Sequence, residues 1–350
     1  MKKTKIYFIG RKQGFGKRRW RLSHLENRRR DESAGFRDAH NSIIQTRFIS
    51  SANVIWVRVR PEFTTDKEIE RIKKRIELER KNKVIINDIN SFYNFDSKDR
   101  TFNNWEKVGL KCPNNFSISL NQVSNNIDLV ITQVQEFINQ HNKMFLRTNN
   151  ETAANGMFVL NNSSSKENIK EKILLLFRRC NSFLYDRKDT KIVSVEFIKP
   201  ENKKGYVDLY RVHILLGKII SYYGVTTKLD IFHNVDMSIK DLDRFIKINE
   251  KMPNIIAEFK QKILLGAKSL GCNIGAIEFF IKNEEPIFIE FNPMWGGHAS
   301  KNGFGNNEVQ EYLIKNEELL KTRIPNIYEF LNYRKYYQKL YETIHSHITS

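Results

Sequence analysis

The chain has 350 residues, 40% hydrophobic and 28% charged, a globular composition for two or three domains or subdomains that excludes a disordered or fibrous chain. Lys and Arg total 59 against 40 Asp and Glu, a net charge of +19, so a polyanion is one candidate partner, although compositional drift toward Lys and Asn would give the same balance without function. No run approaches the roughly 18 apolar residues of a membrane span, and the three cysteines (Cys112, Cys180, Cys272) form no CxxC or CxxH pair, which excludes a disulfide framework and a zinc knuckle.

Residues 5–10 (KIYFIG) are expected to form a first buried strand, after a start too short in apolar residues to be a signal peptide. With the separated cysteines, that makes a reducing cytoplasm the expected setting. Residues 11–30 are strongly basic. Residues 53–58 and 83–87 read as strands around a charged helix at 65–82, an alternation that predicts a parallel α/β unit. A helix is expected at 97–108, stopped by Gly109, with an extended segment from Pro113 and an amphipathic helix at 125–142. Strands at 144–147 and 156–160 flank a polar loop, and a helix follows at 167–181. Strands at 192–198, 209–216 and 218–225 come next, the last two joined by a turn at Gly217-Lys218. A long helical region at 241–270 is expected to break at Pro253, a hairpin pairs 276–281 with 286–292, and 325–345 reads as a terminal helix.

One tempting motif fails. Gly10 lies seven residues before Lys17 where a phosphate-binding P-loop needs six, and Arg18 stands where a magnesium-binding hydroxyl is required. The C-terminal hairpin is more informative. Glu278 and Glu290 are twelve residues apart on consecutive strands, and Glu290 shares a strand face with Asn292. Three oxygen donors without His or Cys suit a hard Mg²⁺ ion, and acids inside otherwise apolar strands are costly to bury alone. A pair of outward-facing glutamates would leave the same trace. Arg211, near a strand start with Asp208, could hold a phosphate or an oxyanion bidentately, or form an ordinary salt bridge.

In combination and order these residues resemble the ATP-grasp superfamily of carboxylate–amine ligases, of the D-alanine–D-alanine ligase and glutamate ligase type, over roughly residues 84–300. Val84 to Asn87 (VIIN) is similar to the last strand of the family's N-terminal domain, and MFLRTNNETAANGMFVL to its strand, phosphate loop and strand. VEFI is similar to the adenine hinge, DLYRVHILLGKII to a strand pair carrying a catalytic arginine, and IEFFIKNEEPIFIEFNP to the metal hairpin. The resemblance implies an α/β fold with α+β subdomains. Residues 1–95 would form an N-terminal parallel α/β domain and 96–325 the ATP-grasp domain, with a central lid near 140–198 and a C-terminal antiparallel sheet for metal and ATP. Residues 326–350 would be a separate C-terminal helix.

The resemblance also implies roles. Glu278, Glu290 and Asn292 would hold Mg²⁺, with Mn²⁺ as a substitute. Lys98, Arg147 and Gly156 would contact ATP phosphates, Glu196, Phe197 and Ile198 would bracket adenine, and Arg211 would stabilise the transition state. Gly296, Gly297 and His298 would border the substrate. Arg147 departs from the usual lysine, Ser97 from the aspartate before Lys98, and the phosphate loop carries asparagines where glycines are common. The implied reaction joins a small-molecule or peptide carboxylate to an amine through an acyl phosphate, releasing ADP and phosphate; a homodimer is one candidate assembly. Two alternatives stay open: a kinase of a polyanionic acceptor, and a basic nucleic-acid binder using Phe15, Trp20 and Phe36 among the arginines.

Overall fold

The computed structural model describes residues 3–11, 20–21, 35–59, 64–151, 156–183, 187–200, 204–232, 235–293 and 303–350. In chain order the elements begin with strands β1 (Thr4–Arg11), β2 (Trp20–Arg21), β3 (Ile43–Gln45) and β4 (Val54–Arg58), helix α1 (Asp66–Glu79) and β5 (Val84–Ile86). They continue with α2 (Phe92–Phe95), α3 (Lys98–Lys107), β6 (Asn115–Ile118), α4 (Leu120–Asn125), α5 (Ile127–His141), β7 (Lys143–Thr148), β8 (Met157–Asn161), α6 (Lys166–Phe183) and β9 (Ile192–Glu196). The rest is β10 (Val207–Leu215), β11 (Lys218–Thr227), α7 (Leu242–Ser269), β12 (Ile274–Lys282), β13 (Glu285–Asn292), α8 (Asn307–Lys315), α9 (Glu317–Arg323), α10 (Pro325–Leu331) and α11 (Tyr333–Thr349).

Several expectations are corrected at the level of elements. The β10–β11 turn is centred on Leu216 and Gly217, whose φ angles of 50° and 76° suit the twist of a tight hairpin, rather than on Gly217-Lys218. Pro253 lies inside α7 without ending it. Phe245, Ile246, Ile248 and Met252 before it, and Ile256, Phe259 and Ile263 after it, are all buried, and this packing outweighs one lost backbone hydrogen bond. The terminal helix is two helices, α10 and α11, with Asn332 capping the second through the Lys335 amide. β9 ends at Glu196, so Phe197 and Ile198 follow the strand.

The chain divides into two compact units, Met1–Val59 with Arg75–Asp88 and Lys199–Ser350, and Arg60–Lys74 with Ile89–Ile198. The first unit holds two sheets. In one, β1, β3, β4 and β5 run parallel with β2 antiparallel at its edge; in the other, the order β11-β10-β12-β13 is antiparallel throughout, with β10 between β11 and β12. Asn87, just past β5, ties these sheets together: its amide donates to the Ile274 carbonyl at 2.8 Å and accepts from the Ile274 amide at 3.1 Å. One face of this antiparallel sheet packs on α7, with the Phe259 and Phe279 rings 6.4 Å apart. Its other face contributes Leu215, Tyr223, Val225, Ile274 and Ala276 to the main core, which also buries Ile6, Phe8, Val54, Trp56 and the α11 residues Tyr336, Leu340 and Ile344. Phe36 is committed to this core, edge-on to Tyr341 at 5.2 Å, so it is not an outward stacking platform.

The second unit is built on the antiparallel sheet β6-β9-β7-β8. Along β7, Met144, Leu146 and Thr148 are buried, while Lys143, Phe145 and Arg147 are half-buried. Met144 and Leu146 join Leu160 and Ile192 in packing against Val130, Val134 and Ile138 of α5 and Ile169, Ile173 and Leu176 of α6. The period-two alternation therefore leaves Lys143, Phe145 and Arg147 on the sheet face away from the helices.

Candidate functional site

In the first unit the antiparallel sheet sets four side chains in a row. Tyr223, Arg211, Glu278 and Glu290 are successive register partners across β11, β10, β12 and β13. Register partners on neighbouring strands point to the same face about 5 Å apart, so two carboxylates lie directly opposite each other beside one guanidinium. A β-bulge makes this possible. Glu278 pairs with Glu290 but Phe279 pairs with Phe288, leaving Ile289 as the extra residue of β13. The shift buries both Phe288 and Phe291 while Glu290 and Asn292 stay half-buried on the opposite face.

Glu278 is 8% exposed. Its Oε1 accepts from Arg211 Nη1 at 2.8 Å and from Asn292 Nδ2 at 3.3 Å. Burial opposes the charge on Arg211, but the fields of Tyr223, Glu278 and Glu290 outweigh it and hold the guanidinium above its ordinary pKa. The buried Arg211 Nε–H has no hydrogen-bond partner among the described residues. Two residues along β10, buried His213 shares a 3.0 Å hydrogen bond with the Tyr336 hydroxyl. Asp208 is separate from the row; it takes the Arg244 guanidinium at 3.0 Å and the Thr226 hydroxyl at 2.8 Å.

Among the described residues no group of three His, Cys, Asp or Glu side chains gathers as a metal site; the candidate set is two carboxylates and one amide. The set nevertheless fits a hard dication. All three residues offer oxygen, and the Asn292 amide already reaches Glu278 and presents its own oxygen after a half-turn.

In the second unit Lys98 is the first residue of α3 and half-buried. Arg147, at the end of β7, donates to the Glu151 carbonyl at 2.6 Å and the Thr148 carbonyl at 3.3 Å. The Glu151 carboxylate is itself held by Arg179 Nε at 2.6 Å and the Thr148 hydroxyl at 2.8 Å. Gly156 has φ +56°, a conformation that favours glycine, and a Cβ there would lie 2.3 Å from Glu151 Oε2, so it would displace that carboxylate from its partners. The start of the loop is thus pinned rather than loose. Residues 152–155 lie outside the described residues, as do Gly296, Gly297, His298 and most of the basic segment 11–30.

The Glu196 carboxylate accepts from Asn114 Nδ2 at 2.7 Å and from the Asn114 backbone amide at 3.2 Å. The Phe197 ring lies 4.9 Å from that of Phe145, with Lys143 Nζ 4.2 Å from its centroid. Ile198 follows outside regular structure.

Sequence reasoning missed Asp99, Asn149 and Lys191. Ser97 stands where an acid was expected, and Asp99, two residues on, supplies one. Its carboxylate is hydrogen-bonded by Ser97, accepts from Ser117 Oγ at 3.0 Å, and pairs with Lys191 Nζ at 2.5 Å. Burial pushes the Asp99 pKa up, but the Lys191 and Ser97 contacts prevail and hold it below the usual carboxylate value. An acid displaced from Lys98 by one position was the only trace of this in the sequence.

The sequence matches no protein-family model and no curated protein. Solved structures do resemble it. D-cycloserine synthetase DcsG is 8% identical, with 97% of this chain and 99% of that chain covered at a TM-score of 0.51. Weaker likenesses are to the ATP-grasp ligase PsnB complexed with minimal precursor, Mg and ADP (11% identity, 91% and 98% covered, TM-score 0.48) and to D-alanine–D-alanine ligase from Bacillus anthracis complexed with ATP (10% identity, 99% and 98% covered, TM-score 0.47). At these identities the likeness is one of fold.

Proposed function

The chain has the ATP-grasp fold, and on that fold we propose that it is an ATP- and Mg²⁺-dependent carboxylate–amine ligase. The observation that carries the proposal is the row Arg211–Glu278–Glu290 with Asn292 beside it. Glu278, Glu290 and Asn292 would hold Mg²⁺, or Mn²⁺ in its place, which when bound offsets charge on the phosphate oxygens of ATP. The γ-phosphoryl group passes to a substrate carboxylate, and an amine displaces phosphate from the acyl phosphate, leaving an amide, ADP and phosphate.

This chain's residues would position and stabilise rather than react. Arg211, fixed by Glu278 and keeping a buried Nε–H, is suited to bind a developing oxyanion. Lys98 and Arg147 would hold phosphate oxygens, with Gly156 allowing the loop its turn. Phe197 and Phe145 offer an aromatic surface for adenine, and the chain at Phe197 and Ile198 offers its carbonyls. Amino acids and short peptides, which carry both a carboxylate and an amine, are the first substrates to try.

The test is turnover of Mg²⁺–ATP with panels of acids and amines, followed by mass spectrometry. ADP and free phosphate in equal amounts, with a product weighing acid plus amine less one water, are expected. Phosphate retained on the acceptor would make the enzyme a kinase. ADP release unchanged by Glu290→Gln would overturn the metal assignment.

A further inference from the structure

Asn149 immediately follows β7, and it is 1% exposed. An asparagine so deep must satisfy one backbone donor, one backbone acceptor, one side-chain acceptor and two side-chain hydrogens, or it costs stability. Here all are satisfied, and the pattern is specific. Its backbone amide donates to the Lys191 carbonyl at 3.1 Å, extending the β7–β9 ladder by one step beyond Thr148 and Ile192. The return bond, from the Lys191 amide, goes at 3.1 Å to the side-chain Oδ1 instead of the main-chain carbonyl.

That substitution releases the Asn149 carbonyl, which accepts from the Lys98 amide at 3.0 Å. The Lys98 amide is the first N–H of α3, one of the groups a helix cannot satisfy internally. The residue before it, Ser97, is placed as the N-cap but its side chain does not cap the helix. Ser97 Oγ instead binds Asp99 and receives Asn149 Nδ2 at 2.9 Å. The remaining Nδ2 hydrogen goes to the Asp189 carbonyl at 3.1 Å. One side chain thus joins the exit of β7, the start of α3 and the approach to β9, all within one unit of the fold.

We propose that Asn149 is a positioning residue: by capping α3 with its carbonyl and bracing Ser97 with its amide, it fixes Lys98 relative to the loop that begins at Thr148. The proposal rests on the nucleotide reading above, in which Lys98 and that loop hold ATP phosphates. It accounts for asparagine in place of glycine at this point of the loop. Glycine has no side chain to take the Lys191 amide, alanine offers no polar atom, glutamine is one methylene too long, and aspartate would set an oxygen against the Asp189 carbonyl.

The experiment is a double-mutant cycle on Mg²⁺–ATP affinity, by calorimetry on the full chain, with wild type, Asn149→Asp, Lys98→Met and the double variant, each checked for an unchanged circular dichroism spectrum. Asn149→Asp is expected to weaken binding at least about tenfold, since small misplacements of binding groups carry large penalties. The double variant is expected to bind no more weakly than Lys98→Met alone, because Asn149 would act through Lys98. A merely structural residue would lower the unfolding midpoint, leave the affinity of folded protein unchanged, and overturn the proposal. Additive losses in the cycle would overturn it as well. Should Asn149→Asp fail to fold, Ser97→Ala removes one brace and keeps the cap; a weakening of about threefold that vanishes in the Lys98→Met background is then expected, and additivity there refutes the idea. A wild-type chain that binds no nucleotide would overturn the nucleotide reading itself, and this proposal with it. A wild type that binds while the folded variants bind equally well overturns only the role of Asn149.

Discussion

Replacing Arg211 with methionine keeps an unbranched side chain and removes the guanidinium 2.8 Å from Glu278. The side chains of this pair are 14% and 11% exposed, so solvent screening is weak. An exposed pair would contribute up to about 1 kcal/mol, whereas removing one partner of a buried pair costs roughly 3–5 kcal/mol, much of it from the carboxylate left behind. Because the Asn292 amide still contacts Glu278, the lower end, about 3 kcal/mol, is expected. Urea unfolding followed by circular dichroism measures it without the charge screening a guanidinium salt would add. The double variant Arg211→Met with Glu278→Gln removes both charges and should recover most of the loss. A cost below about 1 kcal/mol, or no recovery in the double variant, would refute the view that a buried carboxylate row is held by Arg211.

Two further outcomes follow from the second unit. Gly156→Ala should destabilise by roughly 1–3 kcal/mol through strain at φ +56° and displacement of Glu151 from Arg179, whereas Gly109→Ala, at φ +75° with nothing within 4 Å of the added Cβ, should show strain alone; equal losses at both sites would remove the steric part of the argument. The folded Asp99 carboxyl is held below its unfolded value, so its contribution to stability is present above about pH 4 and lost as pH falls through the depressed folded value. Urea midpoints measured from neutral to acid pH should therefore fall less steeply in Asp99→Asn than in wild type, and identical slopes would contradict the assignment.

The long elements were legible in the sequence because their periodicity matches their packing. Ile69, Ile72 and Ile76 of α1 are buried as their spacing requires, and the β12–β13 hairpin pairs Glu278 with Glu290. The sequence did not reveal β2 and β3, which at two and three residues are too short to display a period. It misjudged Pro253, since a helix buried on both sides of a proline keeps its course despite the local penalty. The grouping of Arg211 with the acidic hairpin was anticipated only through family likeness; the register that makes them neighbours links residues 67 apart in sequence. The Asn149 bonds span 40 to 52 residues, and no local pattern carries such information. Of the asparagines that stand where glycines are common, Asn149 makes these bonds at the start of the loop.

The central claim, a Mg²⁺-dependent nucleotide site built on the acidic hairpin, is tested most directly by thermal-shift titration with ATP, with and without Mg²⁺, on wild type and Glu290→Gln. At about 100 times its Kd a ligand adds roughly 2.7 kcal/mol to the folded state, a readily visible rise in the midpoint. The account predicts a rise that requires Mg²⁺ in wild type and shrinks in Glu290→Gln. A midpoint that no nucleotide moves, or one that Glu290→Gln leaves equally responsive, would contradict it.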